Sequence, residues 1–374
     1  MPLIHCLLPS KEYYTRENAG AVAMVMEDMV LASQYNEWCH VFGRTSQNKP
    51  LTQPFTPLIP KTAWFYGQNI GMARAYLDHL SKMSITPDWV EVHGRCQVAA
   101  YLAQKRPDLN IVLVLPNDSR GMKGAKTPSE RKALAKSLVG VFALSQYLID
   151  GFNDGLDEKN IKGLIQQVTP LGIDRRHQKI PKKKKQIVIT GRMVPEKGIL
   201  EAAYALAMVL PKYPDWSARL IGAKGFKESD KTPYERAVVK ALAPCGDQAQ
   251  TLGFMPVEDV YQEQDQASIA LVPSQWEEPA GRVLLEAMVA GAALITTRRG
   301  GIPEYAEGRA IILDDPNPDA IAHALQQLIC DPKMLKTYQQ KAWDNYTFTR
   351  AHAGQKVDLG RDAVKSYCVK DASS

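Results

Sequence analysis

The chain of 374 residues reads as two doubly wound α/β domains in tandem. Strand-length apolar runs alternate with helix-length amphipathic stretches from end to end, the pattern of parallel sheets joined by crossover helices. The alternation breaks once, at the charged stretch DRRHQKIPKKKKQ over 174–186, which holds Pro181 and four consecutive lysines, Lys182, Lys183, Lys184 and Lys185. The length suits two domains, and this stretch is the expected hinge between them.

In the first half, strands are predicted at 3–8, 38–42, 89–92, 111–115, 139–143 and 165–168. Helices are predicted at 18–33, 69–83, 97–106, 128–137 and 146–154, and the proline-rich stretch 50–60 reads as loop. After the hinge, strands are predicted at 187–190, 218–222, 250–252, 268–272, 293–296 and 310–313. Helices follow at 198–210, 233–241, 257–264, 281–290 and 319–330. In such sheets ligands bind at the carboxyl ends of strands.

Composition excludes several classes. Hydrophobic content of 45% and charged content of 23% are those of an ordinary globular protein. A net charge of +6 favours anionic ligands or an anionic surface. No basic-aromatic interleaving points to nucleic acid. The six cysteines (Cys6, Cys39, Cys96, Cys245, Cys330, Cys368) form no Cys-x-x-Cys pair, so neither a zinc site nor a disulfide framework is expected. The N-terminal stretch does not read as a signal peptide, and no apolar run approaches membrane-spanning length. The expected location is the cytoplasm, with any membrane contact peripheral, on the cytoplasmic face of the inner membrane.

Two motifs carry chemistry. The first, SQWEEPAGRVLLEAMVAGAALI over 274–295, places Glu278 before a helix whose apolar stripe is Val283, Leu284, Ala287 and Met288. The N–H groups of Ala280, Gly281 and Arg282 at that helix start suit an anion. Glu286 lies eight residues beyond Glu278, roughly 12 Å along a helix, so the two carboxylates can serve opposite ends of one elongated ligand. The second motif, GRMVPEKG over 191–198, sets Arg192 and Lys197 on a strand-to-helix turn, with Pro195 at its helical start. A forked guanidinium and an ammonium suit a diphosphate. Gly-Lys-Ser/Thr is absent, so this is not a Walker motif.

Together, Gly191-Arg192, Lys197-Gly198, Glu-Pro-Ala-Gly and Leu-Glu-Ala-Met resemble the retaining GT-B glycosyltransferases of family 4, the glycosyl transferases group 1. LGFMPVEDV at 252–260 and RGGIPEY at 299–305 extend the likeness, and WVEVHGR at 89–95 and ALSQYL at 143–148 look most like bacterial lipopolysaccharide-core members. The resemblance implies two Rossmann-like domains facing each other across a cleft. The first would span 1–173, completed by about 346–374, then the hinge 174–186, then a nucleotide-sugar domain over 187–345.

It also implies roles. Arg192 and Lys197 would grip the donor diphosphate. Glu278 would lie beside the transferred sugar. Ala280, Gly281 and Arg282 would offer backbone donors, and Glu286 would receive the ribose hydroxyls. Phe254 and Met255 would frame the base, and Gly20 in Asn18-Ala19-Gly20 would approach the phosphate from the first domain. The sequence departs from the family at Ala19, at Leu171-Gly172, and at Pro116, where the family often has a histidine. His93 is the candidate to cover that histidine's role, and Asn117 and Asp118 are the candidates on the acceptor side.

The implied activity is transfer, with retention and without metal or other cofactor, from a UDP- or GDP-linked sugar. The implied acceptor is a cell-surface glycan or anionic glycolipid, as in the lipopolysaccharide core. The basic stretch 121–136, with Lys123, Lys126, Arg131, Lys132 and Lys136, reads either as a solvated helix face or as a contact with that acceptor or the membrane. Two alternatives stand beside the transferase: a nucleotide-sugar epimerase on the same fold, and an inactive binder of sugar nucleotides or anionic lipid, motivated by Pro116.

Overall fold

In a computed structural model of the protein, the described residues are 2–44, 48–61, 67–225 and 231–371. They form two compact units, Met1–Gly172 with Arg350–Ser374, and Ile173–Thr349.

Unit one begins with β1 (Ile4–Leu7), α1 (Ala21–Leu31), β2 (Cys39–Gly43), β3 (Phe55–Pro57), α2 (Gly67–Leu80) and β4 (Trp89–His93). It continues through α3 (Cys96–Lys105), β5 (Ile111–Leu115), α4 (Pro128–Ser137), β6 (Gly140–Ala143), α5 (Gln146–Asn153), α6 (Glu158–Ile161) and β7 (Ile165–Val168). Among the described residues its sheet has seven strands in the order β3-β2-β1-β4-β5-β6-β7, with every pairing parallel. β1, β4 and β5 are buried along their whole length, as strands covered by helices on both faces must be. The strand order reverses between β1 and β4, so the loops that follow them diverge and leave a crevice at their carboxyl ends.

Unit two comprises β8 (Lys184–Thr190), α7 (Ile199–Val209), β9 (Ser217–Ile221), α8 (Pro233–Ala241), β10 (Ala249–Gly253), α9 (Val257–Gln266), β11 (Ala267–Leu271) and α10 (Arg282–Val289). β12 (Ala293–Thr297), α11 (Ile302–Ala306), β13 (Ala310–Leu313), α12 (Pro318–Cys330) and α13 (Pro332–Asp344) complete it. Six described strands run in the order β10-β9-β8-β11-β12-β13, again all parallel. Ile187, Ile189, Leu206, Leu220, Ile269, Leu271, Leu325 and Leu328 are among its core residues. Here the order reverses between β8 and β11. The chain then ends in α14 (Arg350–Asp371), which belongs to unit one.

Three sequence expectations are corrected. The proline-rich stretch contains β3, an edge strand with β2 as its sole described neighbour. Prolines are tolerated there because one side of an edge strand makes no ladder bonds. The lysine run is not solvated throughout: Lys182, Lys184 and Lys185 are exposed, but Lys183 is half-buried. Lys184 and Lys185 open β8, and the Lys183 ammonium donates to the carbonyl oxygens of Asp265 (2.9 Å) and Ala290 (2.5 Å). Burial lowers the Lys183 pKa to about 8. Upstream, Arg176 pairs with Asp265 at 2.6 Å and lies over the Tyr261 ring, so the segment is fastened to α9. Finally, Arg131 does not belong to a solvated basic face. It is buried, and its guanidinium donates to the carbonyls of Ala125 and Lys126 at 3.0 and 3.1 Å. Lys123, Lys126, Lys132 and Lys136 are exposed.

Candidate active site

The loops after β8 and β11 flank the reversal in unit two, and the two sequence motifs lie on them. Three glycines lace the strand ends together. Gly198 has φ +66°, and a Cβ there would collide with the Pro273 carbonyl oxygen. Gly222 has φ +125°, and its Cβ would meet the Gly191 oxygen. Gly300 has φ +54°, and its Cβ would meet the Glu278 oxygen. Only glycine fits such turns without strain. Hydrogen bonds follow the same paths: Gln275 N–H to Glu196 O (2.9 Å), Gly301 N–H to Glu278 O (2.7 Å) and Thr297 Oγ1 to Ser274 O (3.0 Å). The loops after β8, β11 and β12 therefore act as one rigid platform.

On that platform Lys197 Nζ forms an ion pair with Glu278 Oε1, 81 residues apart in sequence. The buried Ser274 hydroxyl donates to the same oxygen at 2.6 Å. The Lys197 side chain remains 28% exposed, so the ammonium keeps hydrogens for a further acceptor. Arg192 is exposed and has no carboxylate partner among the described residues. α10 starts at Arg282 with Gly281 as its N-cap, and no side chain caps it. The position of a Gly281 Cβ is already filled by the Leu284 side chain, so this glycine is needed for packing as well as for access to the backbone.

Glu286 lies within α10 and is 9% exposed. Its Oε1 is 3.5 Å from Arg282 Nε, and its Oε2 accepts from Gln264 Nε2 of α9 at 3.2 Å. Burial raises the Glu286 pKa, opposed by the nearby Arg282 charge. At the far side of the same strand ends, Met193, Gly222, Leu252, Gly253 and Phe254 line a cavity of about 270 Å³. Phe254 is exposed and Met255 half-buried beside it. The structure thus places Arg192, Lys197, Glu278, Phe254, Met255 and the 280–282 turn on loops that follow the carboxyl ends of strands of one sheet, with Glu286 about one turn into α10.

The candidates in unit one fare differently. Gly20 caps α1, but the Glu12 carboxylate covers that helix start: Ala23 N–H donates to Glu12 Oε2 at 3.3 Å. The start of α1 thus has the Glu12 carboxylate as a partner. His93 is 1% exposed at the end of β4. Its Nε2 lies 3.9 Å from Glu91 Oε2, and burial lowers its pKa, which keeps the ring neutral. The buried Pro116 ring packs against Gly94 beside it. Cys6, Glu91 and His93 come close enough together for a shared ion. Arg361 already engages both oxygens of Glu91, at 2.9 and 2.8 Å. Asp118 is not a free base: although burial alone would raise its pKa, hydrogen bonds from Arg120 lower it, and Tyr147 donates to it at 3.4 Å. Asn117 is exposed. The sequence reading missed Ser274 and Gln264. Ser274 lay inside a quoted motif, whereas Gln264 carries no local signal.

Comparison with known proteins bears on unit two most directly. Residues 172–344 match the model of the family Glycosyl transferases group 1. The chain is similar to YtcC of Bacillus subtilis, at 29% identity over 186 residues. That alignment covers 48% of this chain and 46% of YtcC, so the chain spans about half the length of this curated relative. Whole-chain likeness is structural. HepE of Anabaena, solved in complex with UDP, superposes with a TM-score of 0.69 at 16% identity, covering 99% of this chain and 100% of that one. WaaG, a glycosyltransferase involved in lipopolysaccharide biosynthesis, superposes at 0.64 with 15% identity, over 97% of this chain and 99% of that one. The fold is the α/β GT-B fold, with two Rossmann-like domains. Among the described residues no helix is long and apolar enough to cross a membrane.

Proposed function

We propose that the protein is a retaining, metal-independent glycosyltransferase. It would move a sugar from a nucleoside diphosphate sugar to a cell-surface glycan or glycolipid. The observation that carries this reading is the Lys197–Glu278 pair at the strand-order reversal of unit two, beside exposed Arg192 and the uncapped start of α10.

Arg192 and Lys197 hold the diphosphate, and the α10 N–H groups face its distal phosphate. Glu278, kept in place by Lys197 and Ser274, accepts from hydroxyls of the transferred sugar. Glu286 accepts from the ribose, and the base enters the cavity by Phe254 and Met255. As the bond from the anomeric carbon to the β-phosphate oxygen breaks, negative charge builds on that oxygen. The two cations and the helix start stabilise it. The same oxygen takes the acceptor proton while the acceptor oxygen bonds to the anomeric carbon on the departing face, so configuration is retained. No step in this scheme calls for a metal or other cofactor.

UDP-sugars are the first donors to test, because HepE was solved with UDP and with UDP-glucose; GDP-sugars come next. A lipopolysaccharide-core acceptor is the first to test, because the chain shares its fold with WaaG, involved in lipopolysaccharide biosynthesis, and with WaaB, a lipopolysaccharide outer core galactosyltransferase. Exposed Lys123, Lys126, Lys132 and Lys136 suit an anionic acceptor or a peripheral stay at the inner membrane's cytoplasmic face. Exposed Asn117 is the remaining acceptor-side candidate.

The test is a thermal-shift panel of UDP, GDP and their sugars, followed by donor turnover with the anomeric product read by NMR. Stabilisation by a diphosphate, and turnover abolished in Glu278→Ala, are expected. If no nucleotide raises the melting temperature, the proposal fails. Epimer formation without an acceptor would replace it with an epimerase.

A further inference from the structure

Glu286 is one of two carboxylates that define the site, yet its geometry is set from outside the motif. Gln264, near the end of α9, is 1% exposed. Its Nε2 donates to Glu286 Oε2 at 3.2 Å, while its Oε1 is buried with no hydrogen-bond partner among the described residues. With Glu286 ionised, its oxygens only accept, so the NH₂ end faces Glu286 and the carbonyl end takes the unpaired position.

That unpaired acceptor is costly, since leaving a buried polar atom unsatisfied outweighs the gain from an ordinary hydrogen bond. Leu or Met would fill the position and remove the orphan oxygen. The one described partner of the amide is Glu286. The carboxylate's other oxygen lies 3.5 Å from Arg282, four residues earlier on the same helix. Arg282 alone would draw the group along the α10 face. With Gln264 holding Oε2 from α9 and Arg282 beside Oε1, each carboxylate oxygen has a donor of its own. An ionised carboxylate has about four acceptor directions, so two remain for incoming hydroxyls.

We propose that Gln264 is a positioning residue for Glu286, aiming that carboxylate so that it receives both hydroxyls of a ribose cis-diol. The inference rests on the reading of this platform as a nucleotide-sugar site. Gln264 therefore sets how strongly the protein distinguishes ribonucleotides from their deoxy counterparts, without itself touching the reacting atoms.

The experiment uses the full chain and calorimetric titration with UDP, GDP and the 2′-deoxy and 3′-deoxy forms of each. In the wild type, removing either hydroxyl is expected to weaken binding roughly tenfold or more, the loss of a hydrogen bond to a charged group. Gln264→Met, close in shape but without a donor, is expected to bring the ribo-to-deoxy ratio most of the way to one. Its affinity for inorganic pyrophosphate should stay at the wild-type value. Gln264→Asn, which keeps the amide but shortens its reach, should show the same loss and replaces the Met variant if that one does not fold. A wild-type ratio in both Gln264 variants, with the ratio lost in Glu286→Leu, would overturn this inference and leave the ribose reading intact. A wild-type ratio retained in Glu286→Leu would overturn the ribose reading, and the inference with it.

Discussion

At the residue scale, two lysines of unit two have opposite fates. Lys197 faces Glu278 and stays partly exposed. Lys183 is inserted between the ends of α9 and α10. Lys197→Ala is expected to weaken UDP binding by roughly 10- to 100-fold, the value of a lost charge-assisted hydrogen bond, while the melting temperature without ligand changes little. Lys183→Ala reverses the pattern. It leaves the Asp265 and Ala290 carbonyls without that donor and should cost about 1–3 kcal/mol of stability, read by denaturant titration. UDP affinity should remain within a few-fold of wild type. No pattern in KKKK separates half-buried Lys183 from its exposed neighbours, because burial depends on where α9 and α10 end in space.

At the scale of elements, the strand-end loops show how local conformation builds the platform. Gly198→Ala would force φ +66° on an alanine and drive its Cβ into the Pro273 carbonyl. The Lys197 turn would then separate from the Glu278 loop, with more than tenfold loss of diphosphate affinity expected by titration. In unit one, the aromatic cluster that spans β1, β2 and α2 has a titratable centre. His5 lies 4.6 Å from Phe42 and 5.7 Å from His40 between ring centroids, and Tyr76 Oη bonds its Nδ1 at 2.8 Å. Burial, with smaller contributions from His40 and His79, lowers the His5 pKa to about 3. A pKa depressed on folding means the unfolded chain binds the proton first. Stability from neutral His5 is then complete above about pH 6.5 and falls by about 1.4 kcal/mol per unit as pH drops toward 3. Denaturant midpoints between pH 7 and 4.5 should fall accordingly, and His5→Gln should flatten that slope.

At the scale of the whole molecule, the chain returns to its beginning. α14 presents Ala353, Val357, Arg361 and Val364 as its buried stripe, with a charge in the middle of it. Arg361 meets Glu91 of β4 across 270 residues, and both are fully buried. Arg361→Met would leave that carboxylate buried without its counter-charge, an expected loss of roughly 3–5 kcal/mol. The double variant Arg361→Met with Glu91→Leu should recover most of it, since replacing both partners with apolar groups is often close to neutral. Thermal melts of the two single variants and the double form a cycle that isolates the pair.

How much of this was legible depends on the range over which each feature is encoded. The strand at 111–115 and the helix at 128–137 were predicted with their observed bounds. Apolar period, proline and helix-cap chemistry are local properties that a chain carries wherever it lies. The alternation of such elements identified two parallel, doubly wound sheets for the same reason. α13 was missed, and α14 was anticipated only as a returning tail. The α14 stripe includes an arginine, which hides its helical period. β3 was read as loop, because edge position, which makes prolines acceptable, exists only once a sheet exists. The motif residues Arg192, Lys197, Glu278 and Glu286 were each visible in sequence. Tertiary structure alone decided that Lys197 meets Glu278, that Gln264 grips Glu286, that Glu12 covers the start of α1, and that His93 is sealed inside unit one. Those outcomes depend on which strand lies beside which, and on whether water reaches a charge. Both are fixed by packing among segments tens to hundreds of residues apart.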